Sequence, residues 1–126
     1  MKRLSFILLF TFVCVACIAQ SEHPLIKDCA ITKNFGMSSE TFFLWGHVRV
    51  VTDPKEYADF NVKIVSSPAL ADVYVKRVTS APFECGEWHF VTSKKDAPPF
   101  TVTIRFVTEW EEFTICFVDS NPGSRY

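Results

Sequence analysis

Cys85 and His89 stand four residues apart, with Glu84 and Glu87 beside them. A thiol near an imidazole is the start of a nucleophilic site, and the same side chains ligate zinc. A zinc site needs three or four ligands, and only His47 and Cys116 are left to join. A disulfide cysteine at a turn beside an outward-facing histidine accounts for the pair equally well. Glu109 and Glu111 flank Trp110, as a carboxylate pair would flank a sugar-stacking aromatic. Such pairs cleave glycosides when held about 5 to 9 Å apart across a cleft, whereas at the tip of a connection they are simply solvated. The chain has no Gly-rich phosphate loop, H-E-x-x-H or G-x-S-x-G motif. No catalytic residue, metal site or cofactor is therefore assigned; a small hydrolase or metal-dependent enzyme using these groups is the alternative reading.

Arg49, Lys63, Lys76, His89 and Arg105 form the more promising set. Each is the second residue of a short apolar run and faces away from the core side of that run. Stacked in register, they would make a cationic ladder able to grip an anionic polymer. Like charges directly opposed in a sheet repel, so the competing arrangement is a barrel or knot that spreads them apart and pairs them with acids.

The runs that carry these residues are a repeat. Val48-Arg49-Val50-Val51, Val62-Lys63-Ile64-Val65, Val75-Lys76-Arg77-Val78, Trp88-His89-Phe90-Val91, Ile104-Arg105-Phe106-Val107 and Ile115-Cys116-Phe117-Val118 all end on Val, and Thr, Ser or Asp follows. Their starts are 11 to 16 residues apart, room for one strand and one connection. Prolines fall between runs, where a missing amide donor harms no ladder. Alternation places Phe60, Val62, Ile64, Trp88, Phe90, Val102, Ile104, Phe106, Phe113, Ile115 and Phe117 on a core face, with Arg77 its one charge. The pattern predicts a small single all-β domain of about six short repeated strands over residues 48–126. Residues 20–47 read as an irregular polar extension and a lead-in strand.

The fragments Ala58-Asp59-Phe60-Asn61-Val62-Lys63-Ile64-Val65, Ala71-Asp72-Val73-Tyr74-Val75-Lys76-Arg77-Val78 and Gly86-Glu87-Trp88-His89-Phe90-Val91 resemble the small exported bacterial domains called 7(1) septoil knot domains. The resemblance covers about Val48 to Tyr126. It implies a compact repetitive β domain tied in a torus knot, from a family with no assigned activity and no catalytic residues to carry over. Ala97-Pro98-Pro99-Phe100 and Glu111-Glu112-Phe113 stand where the Ala-Asp opening is expected, which leaves the winding of the last two repeats open.

Residues 1–19 read as a secretory signal: Lys2 and Arg3, then an uncharged apolar stretch, then small residues ending at Ala19. Cleavage there leaves a secreted or periplasmic protein; lipidation at Cys17 is the alternative, and only that would hold it to a membrane. Removing Lys2 and Arg3 takes 13 bases to 11 against 14 acids, a charge near −3 that attracts no nucleic acid. An envelope glycan, lipid or protein is the expected class of partner, in a binding or structural role, with a secreted effector or inhibitor as a further alternative. Among Cys29, Cys85 and Cys116 one disulfide is allowed in an oxidising compartment. Cys29 with Cys85 is favoured because Cys116 alternates with apolar strand residues, although the sequence does not choose the pair.

Overall fold

The computed structural model describes residues 25–126; the segment read as a signal, with Cys14 and Cys17, lies outside them. Among the described residues there are ten strands and a single 3-10 turn at Pro68–Leu70. The first three, β1 (Leu25–Lys27), β2 (Ala30–Phe35) and β3 (Ser38–Phe43), make a small antiparallel sheet. The next six are β4 (Gly46–Val50), β5 (Phe60–Ile64), β6 (Val73–Arg77), β7 (Glu87–Val91), β8 (Val102–Phe106) and β9 (Phe113–Phe117). A short β10 (Gly123–Ser124) pairs antiparallel to β6.

The six repeated runs close into an all-parallel barrel. Around it the order is β6-β7-β4-β8-β5-β9, and β9 pairs back to β6. In chain order β4, β5 and β6 take alternate places, and β7, β8 and β9 then fill the gaps between them. The backbone thus makes two interleaved circuits. Parallel neighbours normally need a dozen or more residues of crossover, usually helical. Here successive strands are separated by 6 to 10 residues. That suffices because a five-residue strand is only about 17 Å long, while 6 to 10 extended residues reach roughly 20 to 33 Å.

The register explains why the repeat is visible in the sequence. At each of the six joins the pairing is offset by two residues, as in Gly46↔Trp88, Val50↔Ile104, Phe60↔Ile104, Val62↔Phe113, Val73↔Ile115 and Arg77↔Trp88. With neighbouring strands about 4.8 Å apart, that stagger tilts them by about 55° and gives a backbone radius of about 8 Å. Equivalent residues of the six runs then lie at one height along the axis. Val48, Val62, Val75, Trp88, Ile104 and Ile115 form one inward layer, and all six are buried. The fourth-place valines close the ladder: the N–H groups of Val51, Val65, Val78, Val107 and Val118 donate to the carbonyls of Ile104, Ile115, Trp88, Val62 and Val75 at 2.8–3.0 Å.

The two ends of the barrel are closed differently. At the N-terminal end of the strands, the small sheet and the chain after it insert Ile31 and Leu44 into the core, and Phe42 meets Phe60 edge-on with 4.9 Å between ring centroids. Residues 25–43 are therefore paired strands rather than an irregular extension. Thr32 and Thr41 face each other across β2 and β3, and Lys33 fastens the sheet to the barrel through the Asp59 carbonyl (2.7 Å) and Glu112 (3.0 Å). At the other end Arg77 lies 4.2 Å from the Phe117 ring centroid and 5.4 Å from that of Phe90, a cationic cover over an aromatic layer. Ile64, expected in the core, belongs to this outermost layer and is 46% exposed.

Candidate functional site

Stagger decides the fate of the cationic row. Arg49, Lys63, Lys76, His89 and Arg105 share one height on the outer face, and Cys116 completes the ring of six. None of the five opposes another: their register partners are Thr103, Thr114, Glu87, His47 and Asn61. At this tilt adjacent members are about 8 Å apart at the backbone, beyond the 4.5–5.5 Å of directly opposed residues. They make a spaced belt in place of a ladder. Arg49 is ion-paired with Glu56 at 2.5 Å, and its hydrogen bond holds the Glu56 carboxyl below its usual range. Arg105 donates to the carbonyls of Asp53 (3.0 Å) and Glu56 (2.5 Å). Both arginines thus secure the connection 51–59 against the barrel wall. Lys76 stands opposite Glu87, whose carboxyl is held low first by the backbone N–H of Glu84, then by that of Phe83.

Cys85 is joined to Cys29 in a disulfide with a Cα–Cα distance of 5.8 Å, so it offers no thiolate to His89. His89 instead meets His47, Nδ1 to Nδ1 at 3.0 Å. Cys116 carries a free thiol that is buried and lies 3.8 Å from the Ser66 carbonyl.

A second surface emerges at the N-terminal end of the barrel. Two to four residues ahead of each barrel strand stands a large apolar side chain: Phe43, Tyr57, Leu70, Phe83, Phe100 and Trp110. All six are between 63% and 99% exposed. Because the six strands are parallel, all six side chains belong to one rim. The two most exposed, Phe100 and Trp110, have φ values of 65° and 63°. That left-handed conformation costs an ordinary side chain about 1 to 2 kcal/mol and is an outlier for bulky residues. The sequence pointed to Trp110 alone; uneven connections hide the other five, and neither Phe nor Trp signals a left-handed turn. Among the described residues, a shallow cavity of about 180 Å³ at the opposite end of the barrel is lined by Lys76, Arg77, Phe117, Val118 and Asp119. The void lined by Ile31, Phe42, Leu44, Val48, Phe60 and Trp88 holds about 20 Å³, the room of a single water.

Residues 44–125 match the family described as the 7(1) septoil knot domain. The chain belongs to that family. Its match begins at Leu44 and so takes in all six strands of the septoil knot barrel while leaving β1, β2 and β3 outside. No curated protein matches the chain.

On this septoil knot barrel three of the five rim aromatics come with carboxylates: Glu56 precedes Tyr57, Glu84 follows Phe83, and Glu109 and Glu111 enclose Trp110. Flat apolar faces beside hydrogen-bond acceptors suit ligands that are apolar on one side and hydroxylated on the other. Exposed apolar patches rimmed by polar groups mark interaction surfaces.

Proposed function

We propose that this septoil knot domain is an exported, non-enzymatic binding component of the cell envelope, and that its aromatic rim holds a neutral glycan. The observation that carries the reading is the pair Phe100 and Trp110, two fully presented aromatics kept in a conformation that stability disfavours. Strain of this kind collects at functional positions. Sugar rings stack their C–H faces on aromatic side chains, and adjacent carboxylates accept from hydroxyl groups. An acid excess near −3 after removal of the signal disfavours anionic polymers and anionic membranes. Export is supported by the charge and hydropathy pattern of residues 1–19 and by the Cys29–Cys85 bond, which persists in oxidising compartments.

Two measurements test this. The mature chain from Gln20 should sediment with insoluble envelope polysaccharide and be released by soluble oligosaccharide but not by salt; a chain that stays in the supernatant contradicts glycan binding. The intact mass in the envelope fraction should begin at Gln20, and one beginning at an acylated Cys17 would replace the soluble form by a lipid-anchored one.

A further inference from the structure

We infer that His47 and His89 form a binding site for a divalent transition-metal cation, with Cu2+ the metal it takes most tightly. The two residues are register partners on the neighbouring parallel strands β4 and β7. Both side chains face outward and are half-buried, with Nδ1 atoms 3.0 Å apart and ring planes at 79°. Two nitrogens bound side by side to one metal at about 2.0–2.1 Å stand roughly 2.9 Å apart in a square plane and 3.3 Å apart in a tetrahedron. The observed separation falls between those two bites, so a small rotation of either ring points both lone pairs at a common centre.

Without metal, one Nδ1 carries a proton and donates to the other. Binding requires the donor ring to place that proton on Nε2 instead, an exchange through solvent that leaves both imidazoles neutral and changes no oxidation state. The nearest strong cation on the same strand, Arg49, is neutralised by Glu56 at 2.5 Å, which lowers the electrostatic cost of adding a positive ion. The described residues contain no group of three or more His, Cys, Asp or Glu that could hold a metal, so water fills the remaining positions. A two-imidazole site open to water ranks metals by their intrinsic nitrogen affinity, and that order peaks at Cu2+. The ion would bridge the strand that begins the first circuit of the barrel and the strand that begins the second.

The test is titration of the mature, disulfide-bonded chain with CuCl2 alone, read by electron paramagnetic resonance and by thermal melting. The chain has three histidines, so His23→Ala, His47→Ala and His89→Ala separate the contributions. The wild type and His23→Ala should bind one Cu2+ with two nitrogen ligands and melt at higher temperature as Cu2+ is added. His47→Ala and His89→Ala should bind at least tenfold more weakly. Should either alanine variant lose the native circular dichroism spectrum, His89→Gln, which keeps the size and polarity of the side chain, carries the comparison. Wild-type chain that binds no Cu2+, loss of binding in His23→Ala, or undiminished binding in a folded His47 or His89 variant would each overturn the site.

Discussion

Asp59 and Thr103 clasp one another across neighbouring strands: Asp59 Oδ2 accepts from the Thr103 N–H (2.8 Å) and hydroxyl (3.1 Å), while the Asp59 N–H donates to Thr103 Oγ1 (3.0 Å). Asp72 and Thr114 repeat the arrangement on β6 and β9 at 3.0, 3.1 and 3.1 Å. At the third position Glu112 takes the place of Asp and Asn61 that of Thr: the Asn61 N–H donates to Glu112 Oε1, and the Glu112 N–H donates to the Asn61 carbonyl. The missing Ala-Asp opening before β9 therefore keeps its clasp in another form. Each clasp binds a strand of the first circuit to one of the second. Asp59→Ala and Asp72→Ala should each destabilise by about 1–3 kcal/mol, since the partner N–H loses its acceptor in both, although the Thr114 hydroxyl keeps the Leu70 carbonyl at 3.0 Å. Urea unfolding of the two single variants and the double variant measures this, with effects that add because the clasps share no partner.

Gly86 sits at the start of β7 with φ +85°, and a Cβ there would overlap Gly123 N and Tyr74 O. Both contacts are backbone, and Gly123 and Tyr74 are themselves paired where β10 joins β6, so neither side yields cheaply. Gly86→Ala should cost more than about 2 kcal/mol, combining strain at positive φ with displacement of β10. Gly36 has no atom within 4 Å of such a Cβ, and Gly36→Ala is the milder control in the same denaturation experiment.

The Cys29–Cys85 bond spans 56 residues of chain and fixes the small sheet to the start of β7. Closing a loop of that length removes about 4 kcal/mol of unfolded-state entropy. Replacing both cysteines with serine should lower stability by that order. Reduction of the native protein should do the same, whereas alkylating Cys116 after unfolding leaves the bond in place.

Glu56 and Glu87 set the response to acid. The folded carboxyl of Glu56 is lowered below 4.5 by its hydrogen bond from Arg49. That of Glu87 is lowered below 4.5 by the N–H groups of Glu84 and Phe83. A carboxyl depressed in the folded state adds stability above its unfolded value, and that contribution disappears as pH falls through the lower folded value. The contribution of these two carboxyls to stability should therefore be present above the unfolded value of 4.5 and be lost as pH falls through the lower folded values. Glu87→Gln should flatten the decline in urea titrations across that range.

Much of the barrel can be read from the chain because its six strands are equivalent. The valine column marks the closing ladder hydrogen bond of five of the six strands, and the alternation of Val62, Ile104 and Ile115 marks the buried layer. The pairing order is hidden. Asp59 stands 44 residues from Thr103 and Asp72 stands 42 from Thr114, and no local pattern states that β8 fits between β4 and β5. The small sheet escaped for a different reason: β3 is Ser38-Ser39-Glu40-Thr41-Phe42-Phe43, nearly all exposed, and the apolar residues of the segment, Leu25, Ile26, Ile31, Phe35, Phe42 and Phe43, follow no sustained alternation. Of the candidate surfaces the sequence located the cationic belt but not its spacing, and it located one member of the rim.

Trp110→Gly, alone and combined with Phe100→Gly, tests the rim most directly, because glycine relieves the left-handed backbone while removing the aromatic face. Thermal unfolding and retention on immobilised envelope polysaccharide are measured on the same samples. Each variant should be folded and more stable than the wild type by about 1 kcal/mol per site, yet the double variant should lose at least tenfold in glycan retention. Wild-type retention in a folded double variant would contradict a binding role for the rim.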